Sequence, residues 1–439
     1  MGWRALQCRG VHRGLCYVPV MIDQALQLPC GYRVPNRFCK TAMTEGLADA
    51  HGFPTSAHQR LYETWARGGA AILISGNIMV DQRYLERAGN VVVEDEKALP
   101  ELRAWADVVH RAGSQLWGQI SHPGRQCPRL IASTPLAPSA VQLNVIANFG
   151  KPRAMLPTDI DDVIRRFTTS AKVLQQAGFD GVQIHAAHGY LLSQFLSKRT
   201  NLRQDDWGGE LVNRSRLLIE VVRGVRAAVG SMFPVSVKIN SSDFVQGGFT
   251  LDECLEVVGQ LSGEGLDLLE VSGGTYEQVE FLKTHEASAL RNKTLEREAM
   301  FMVYAKAIKA RASMPVMVTG GFRTLQGMQT ALASGDTDLI GLARPFCLKP
   351  DFPKQMMADV LASLPTPEGG LVLGRGHRGP SSASMHWRGL NNQTQAAWYY
   401  HQIERLAAGL SPDPALSPLR ALLGHFGNDL LRSIARKMA

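Results

Sequence analysis

The segment Gln183-Ile184-His185-Ala186-Ala187-His188-Gly189-Tyr190 gathers two imidazoles and a phenol where an apolar run ends. Neutral imidazole is the commonest protein metal ligand, so His185 and His188 could hold a metal ion. That reading needs at least a third ligand, and nothing nearby has the required arrangement, so no metal is expected. The same pair suits a second chemistry. Two ring N–H groups would donate to a substrate oxygen that gains negative charge, with Tyr190 as the proton donor.

Other positions extend that chemistry. In Gln119-Ile120-Ser121-His122-Pro123-Gly124-Arg125 the Gln119 amide both donates and accepts, which suits an N–H beside a C=O on a heterocycle; the alternative is an interior polar residue bonded to a neighbour. Lys238 interrupts the apolar run Val237-Lys238-Ile239 and is costly to bury alone, so it faces either the anionic edge of a reduced cofactor or a buried acid. Thr319-Gly320-Gly321-Phe322-Arg323 and Gly341-Leu342-Ala343-Arg344-Pro345 offer Gly320 and Gly321 for close backbone approach and Arg344 for phosphate oxygens.

These residues need elements to carry them. Short apolar runs at Asn36–Met43, Ala70–Asn77, Gln115–Ser121, Gly181–Ala187, Val235–Asn240, Leu268–Gly273, Val316–Gly321 and Leu339–Arg344 read as buried parallel strands. Helical spacing lies between them, as in Asp161–Ala177 (Val163, Ile164, Phe167, Ala171, Leu174) and in Asn213–Val229, which stops at Gly230. Eight strands, each followed by a helical segment, predict an α/β fold, the (β/α)8 TIM barrel. A doubly wound sheet would need a Gly-rich phosphate turn after the first strand, but Thr44-Glu45-Gly46-Leu47 stands there. Residues 122–158 and 274–297, after the third and sixth strands, read as lid insertions on the face where barrels build sites. Every candidate above falls at that C-terminal rim, and the loops after the last two strands are the usual barrel phosphate site.

Composition narrows the class. The chain has 439 residues, 45% of them hydrophobic and 20% charged, which is ordinary for a globular protein. No stretch approaches the roughly 18 apolar residues of a membrane span, so no membrane partner is expected. Seven Cys without a C-x-x-C pair argue against a disulfide scaffold, a zinc ribbon or a cysteine-held iron–sulfur cluster and suit a reducing, cytoplasmic setting. The net charge of +8 is concentrated at the two ends, leaving the body near neutral, so nucleic acid is not an expected partner. Residues 1–22 read as a basic, poorly ordered extension. They fit either an organelle-import segment or an in-frame extension ahead of Met21. Residues 23–365 form the barrel, and 366–439 a Gly/Pro/Ser-rich linker over 366–395 followed by helices at 395–409 and 416–437. Those helices would pack on the barrel or on another subunit of a homo-oligomer.

From about Leu26 to Pro353 the chain resembles the old yellow enzyme family of FMN-dependent ene-reductases, known more broadly as NADH:flavin oxidoreductases or NADH oxidases. The resemblance rests on Pro35-Asn36-Arg37 leading to Ala42-Met43-Thr44, on Gln119 with His122-Pro123-Gly124-Arg125, and on His185-Ala186-Ala187-His188-Gly189-Tyr190. It continues through Ser193-Gln194-Phe195-Leu196-Ser197, Asn201, Trp207-Gly208-Gly209, Asn213-Arg214 and the Gly320 and Arg344 loops. It implies that Ala42, Met43 and Thr44 line the flavin, with Thr44 on its C4 carbonyl, and that Gly76 leaves room for the ring. Gln119 would pair with the pyrimidine edge, and Lys238 would stand near N1, where many members have Arg. Gly320, Gly321, Ala343 and Arg344 would hold the phosphate. His185 and His188 would bind a carbonyl or nitro oxygen, and Tyr190 would protonate the substrate.

The resemblance further implies an enzyme that uses NADH or NADPH to reduce an activated alkene. Alternatives are electron transfer to O2, and a non-catalytic flavin-binding barrel. Two departures stand out. Some relatives have Cys at the Thr44 position and a substrate-binding Tyr where this chain has Gly46. The iron–sulfur cysteines and second flavin domain of dienoyl-CoA reducers have no counterpart in this sequence, which implies a one-flavin enzyme.

Overall fold

The computed structural model describes residues 21–143, 149–272 and 304–438. Strands β1 (Phe38–Lys40), β2 (Ile72–Met79), β3 (Gln115–Ser121), β4 (Gly181–Ala186), β5 (Val235–Asn240), β6 (Leu268–Ser272), β7 (Val316–Thr319) and β8 (Leu339–Leu342) pair in parallel in that order. β8 returns to β1, with Gly341 opposite Cys39, and β1 pairs with β2, so the sheet closes. This is the expected (β/α)8 TIM barrel.

Boundaries differ where the chain leaves the ladder. β1 stops at Lys40, so Ala42, Met43 and Thr44 lie on the rim instead of in a strand. β2 runs on to Met79 because the two-residue strand Val91–Val92 and the end of β3 both pair with its last residues. Gly273 and the insertion 274–297 lie outside the described residues. The insertion 122–158, described except for 144–148, packs closely. It has a 3-10 turn at Gly124–Gln126 and a parallel pairing of Leu136–Ala137 with Arg153–Ala154, and it buries Cys127, Leu136 and Met155.

The outer layer holds helices α1 (Ser56–Arg67), α2 (Leu99–Arg111), α3 (Pro157–Gln176), the short α4 (Leu191–Leu196), α5 (Leu211–Val229), α6 (Leu251–Leu261), residues 304–311, α7 (Leu325–Ala333) and the short α8 (Phe352–Met357). α3 starts at Pro157, ahead of the expected Asp161, because proline suits the first helical turn. Gly230, at φ 77°, ends α5 in the left-handed conformation that glycine adopts freely.

Side chains on a strand alternate between its two faces, and this alternation sorts the barrel interior into layers. Trp117, Leu268, Met317 and Leu339 form an apolar floor, joined by Leu28, Cys30 and Val34 around the hairpin of Leu26–Gln27 and Arg33–Val34. Two residues further along the same strands come Gln119, Glu270 and Thr319, and level with them Gln183 and Lys238. The same alternation that buries an apolar base thus aims a polar layer toward the rim.

The C-terminal segment packs on the barrel. Its helices are α9 (Met385–Ala407) and α10 (Pro418–Met438), so the first starts ten residues ahead of the expected 395. Trp398 is fully buried and donates to the Leu416 carbonyl (3.0 Å), and Arg60 of α1 donates to the Ala407 carbonyl (2.8 Å). At the other end Ile22, inside the segment that charge assigns to an extension, is buried and accepts from the Arg37 amide. Among the described residues no helix is long and apolar enough to cross a membrane.

Candidate active site

β4 delivers His185 inside the barrel mouth, and the turn after it brings back His188 and Tyr190. His188 sits at φ 59°, a left-handed conformation that costs a residue with a β-carbon roughly 1–2 kcal/mol. Its amide donates to the Asn240 side chain at the end of β5 (3.1 Å), which holds the turn in place. The ring nitrogens His185 Nε2 and His188 Nδ1 lie 3.1 Å apart, and the His185 and Tyr190 rings meet edge-on at 4.7 Å between centroids. His185 Nδ1 is 2.8 Å from Asn77 Oδ1, and His188 Nε2 is 2.9 Å from Ser272 Oγ. Burial, reinforced by the Lys238 charge, depresses both imidazoles: His188 to about 3 and His185 well below its usual value. Both are therefore neutral near pH 7 and offer hydrogen bonds without net charge.

Below them, Gln119 donates to Gln183 Oε1 (2.7 Å), and Gln183 donates to Ser236 and to Glu270 Oε2 (2.8 Å). Lys238 pairs with Glu270 Oε1 at 2.9 Å, which is the buried acid raised as its alternative partner, and Thr319 donates to the same oxygen (2.7 Å). Thr44, expected on a flavin carbonyl, donates here to Glu86 Oε2 (2.7 Å).

The residues expected to meet a flavin fall into two groups, of which Thr44, Gly76, Gln119 and Lys238 are buried. Ala42, Met43, Gly320, Gly321, Ala343 and Arg344 are all partly accessible at the rim. Gly320 and Gly321 have φ of 112° and 79°, so their backbone bends as few other residues permit. Arg344 opens a 3-10 turn beside them. Accessible glycine backbone next to a guanidinium is a donor set suited to phosphate, and the polar side chains of Gln119 and Lys238 below the rim suit a polar heterocycle. The residues present fit FMN.

Gly76 packs tightly against the Met43–Glu45 segment. Its amide donates to Glu45 Oε1 (2.8 Å), and a β-carbon on it would lie 2.2 Å from Glu45 Oε2 and 2.4 Å from the Met43 carbonyl. Gly76→Ala must therefore push the Met43 segment off its place. Overpacking of this kind costs about 1–3 kcal/mol, so the variant should retain FMN roughly tenfold more weakly, measured as flavin-to-protein absorbance ratio after dialysis.

The sequence reading missed several residues at this site. Glu270 lies opposite Lys238 in the β5–β6 register, and the alternation that turned Lys238 inward could have found it. Asn77 and Glu86 carry no local pattern. Glu368 comes from beyond the barrel to reach Arg344 (3.1 Å) and Arg323 (2.9 Å), where the two guanidinium charges hold its carboxyl below the usual range against the opposing effect of burial. Among the described residues no cluster of His, Cys, Asp and Glu is arranged to hold a metal.

The model of the NADH:flavin oxidoreductase / NADH oxidase family matches residues 31–361. The chain is similar to the NADH-dependent flavin oxidoreductase iliE of Neonectria sp. (strain DH2), with 38% identity over 75% of this chain and 46% of that protein. The iliE protein of Hypocrea jecorina (strain QM6a) is 35% identical over 76% of this chain and 88% of its own length. The chain thus spans about half of the first relative and most of the second. Among solved structures, the old yellow enzyme homologue from Zymomonas mobilis superposes with a TM-score of 0.67 at 25% identity, covering 79% of this chain and 95% of that one. With a matching family model, relatives above 30% identity, the closed barrel and a rim that fits the flavin, the chain belongs to the NADH:flavin oxidoreductase / NADH oxidase family, the FMN-dependent old yellow enzymes.

Proposed function

We propose that this oxidoreductase takes electrons from NADH or NADPH and reduces the C=C bond of an alkene activated by a carbonyl or nitro group. The observation that carries the reading is the neutral His185–His188 pair with Tyr190 against it, above a rim that fits FMN. NADH dependence in both relatives' names supports NADH as the donor.

Ala42, Met43, Thr44, Gly76, Gln119 and Lys238 would hold the flavin ring, and Gly320, Gly321, Ala343 and Arg344 its phosphate. When bound, FMN supplies the hydride chemistry that side chains lack. The protein's own groups do the rest. His185 and His188 grip the substrate's oxygen and stabilise the charge that develops there, which draws electron density from the far alkene carbon. The Tyr190 hydroxyl supplies a proton to the carbon next to the activating group. Lys238 would supply positive charge to the bound flavin, tempered by Glu270.

The test is the absorption spectrum of the purified protein, followed by anaerobic addition of NADH or NADPH and then of a cyclic enone. The expected sample is yellow, bleaches with a nicotinamide and regains colour with the enone. Colour restored by air and not by the enone would overturn alkene reduction in favour of electron transfer to O2. A flavin that neither nicotinamide bleaches would overturn the catalytic reading.

A further inference from the structure

A continuous line of polar groups crosses the barrel mouth behind the imidazole pair. Thr44 Oγ1 and Asn77 Nδ2 both lie 2.7 Å from Glu86 Oε2, Asn77 Oδ1 faces His185 Nδ1, His185 Nε2 faces His188 Nδ1, and His188 Nε2 faces Ser272 Oγ. A carboxylate only accepts hydrogen bonds, so the Asn77 atom facing Glu86 must be its NH2. That orients the Asn77 carbonyl toward His185, whose Nδ1 must then carry the hydrogen. A neutral imidazole has one N–H, so His185 Nε2 is left with a lone pair and takes its hydrogen bond from His188 Nδ1–H. His188 Nε2 in turn accepts from the Ser272 hydroxyl. Every direction in the line follows from its one group that cannot donate.

We propose that Glu86 is a positioning residue that sets the tautomer of His185 through Asn77, and thereby decides which oxygen ligands the imidazole pair accepts. The proposal rests on the reading of His185 and His188 as the oxygen-binding pair. For both rings to donate to one oxygen, His185 must have its hydrogen on Nε2. A phenol meets that need itself. Its O–H proton moves to His185 Nε2, the O–H bond breaks, and phenolate remains beside an imidazolium with no change in total charge. A neutral ketone brings no proton, so Nε2–H then requires the hydrogen on Nδ1 to pass by exchange through water to Nε2, Asn77 to turn its NH2 toward the bared Nδ1, and Glu86 to take up a proton from solvent so that it can donate to the Asn77 carbonyl. A carboxylate group that only accepts opposes that reversal, whereas an amide at position 86 can turn its own NH2 toward Asn77 and permit it.

The experiment uses the flavin-loaded protein with ring-15N histidine, the His185 signals being assigned by their loss in His185→Ala. The nitrogen shifts separate a protonated from a bare ring nitrogen. In the wild type His185 should be protonated on Nδ1 alone, and in Glu86→Gln the population should move toward Nε2–H. The same two proteins are titrated with cyclohexanone and with 4-hydroxybenzaldehyde, following the flavin spectrum. Glu86→Gln should bind the ketone roughly fivefold to tenfold more tightly relative to the phenol, one neutral hydrogen bond's worth. A variant that merely loosens the site would weaken both ligands together. Wild-type His185 found as Nε2–H or as imidazolium overturns the proposal without recourse to any variant, as does Glu86→Gln that keeps Nδ1–H. Should the tautomers behave as stated while loss of both imidazoles leaves ligand affinity unchanged, the oxygen-binding reading fails and the Glu86 relay survives.

Discussion

Tyr190→Phe should reduce its flavin with NADH at nearly the parental rate and then pass hydride to an enone about 10²–10⁴-fold more slowly, the usual contribution of a positioned general acid. The asymmetry comes from geometry. Tyr190 stands at the N-cap of α4, almost fully buried, with its ring against His185. It is thus held next to the imidazole pair proposed to bind the substrate's oxygen. Nicotinamide oxidation needs no proton donor at that position, whereas saturating the alkene leaves one carbon that must gain a proton. Phenylalanine preserves the ring, its packing and the helix start, so a change in fold is not expected to obscure the result. Stopped-flow absorbance separates the two half-reactions. Equal slowing of both would show that Tyr190 orders the pocket and is not the acid, and no slowing of the enone step would remove it from the mechanism altogether.

The His185→Ala/His188→Ala double variant should bind 4-hydroxybenzaldehyde about 10²–10⁴-fold more weakly than the parent. A hydrogen bond to a charged acceptor is worth about 1.5–3 kcal/mol, and the phenolate loses two, at tenfold per 1.4 kcal/mol. Lys238 remains in this variant but is occupied by Glu270 at 2.9 Å, so it is a poor substitute. Both rings lie inside the mouth and away from the apolar floor, so their removal should not empty the barrel's hydrophobic base. Flavin titration by the phenol's charge-transfer band measures the affinity. Parental affinity in the double variant would move the anion site elsewhere on the rim.

What can be read without coordinates depends on how locally it is encoded. Period-two alternation and helical spacing are properties of a few neighbouring residues, so eight strands, their order and the barrel class were legible, as were Gly230 as a helix stop and His185, His188 and Tyr190 as a group. Gly320, Gly321 and Arg344 were legible as rim residues because they directly follow the last two strands. Strand ends were less so: β1 ends where its neighbours stop pairing, and β2 continues because Val91–Val92 arrives to pair with it. The start of α9 was placed too late because Gly, Ser and Pro set the tone up to Ser384 while the packing of Trp398 and Ile403 decides the helix.

The tertiary structure decided who partners whom. Nothing in Lys238 distinguishes a flavin-facing cation from an ion-paired one until Glu270 is set opposite it. Nothing in Thr44 reveals that its hydroxyl meets Glu86, 42 positions away, or that Glu86 also orients Asn77. Glu368 reaches Arg344 only because the C-terminal segment folds back on the barrel. The sequence by itself determined the barrel and the kinds of group at its mouth, since periodicity and residue chemistry are short-range. Which of those groups are neutral, paired or directed by a neighbour was decided by closure of the barrel, because charge and hydrogen-bond direction depend on atoms that only the fold brings within about 3 Å.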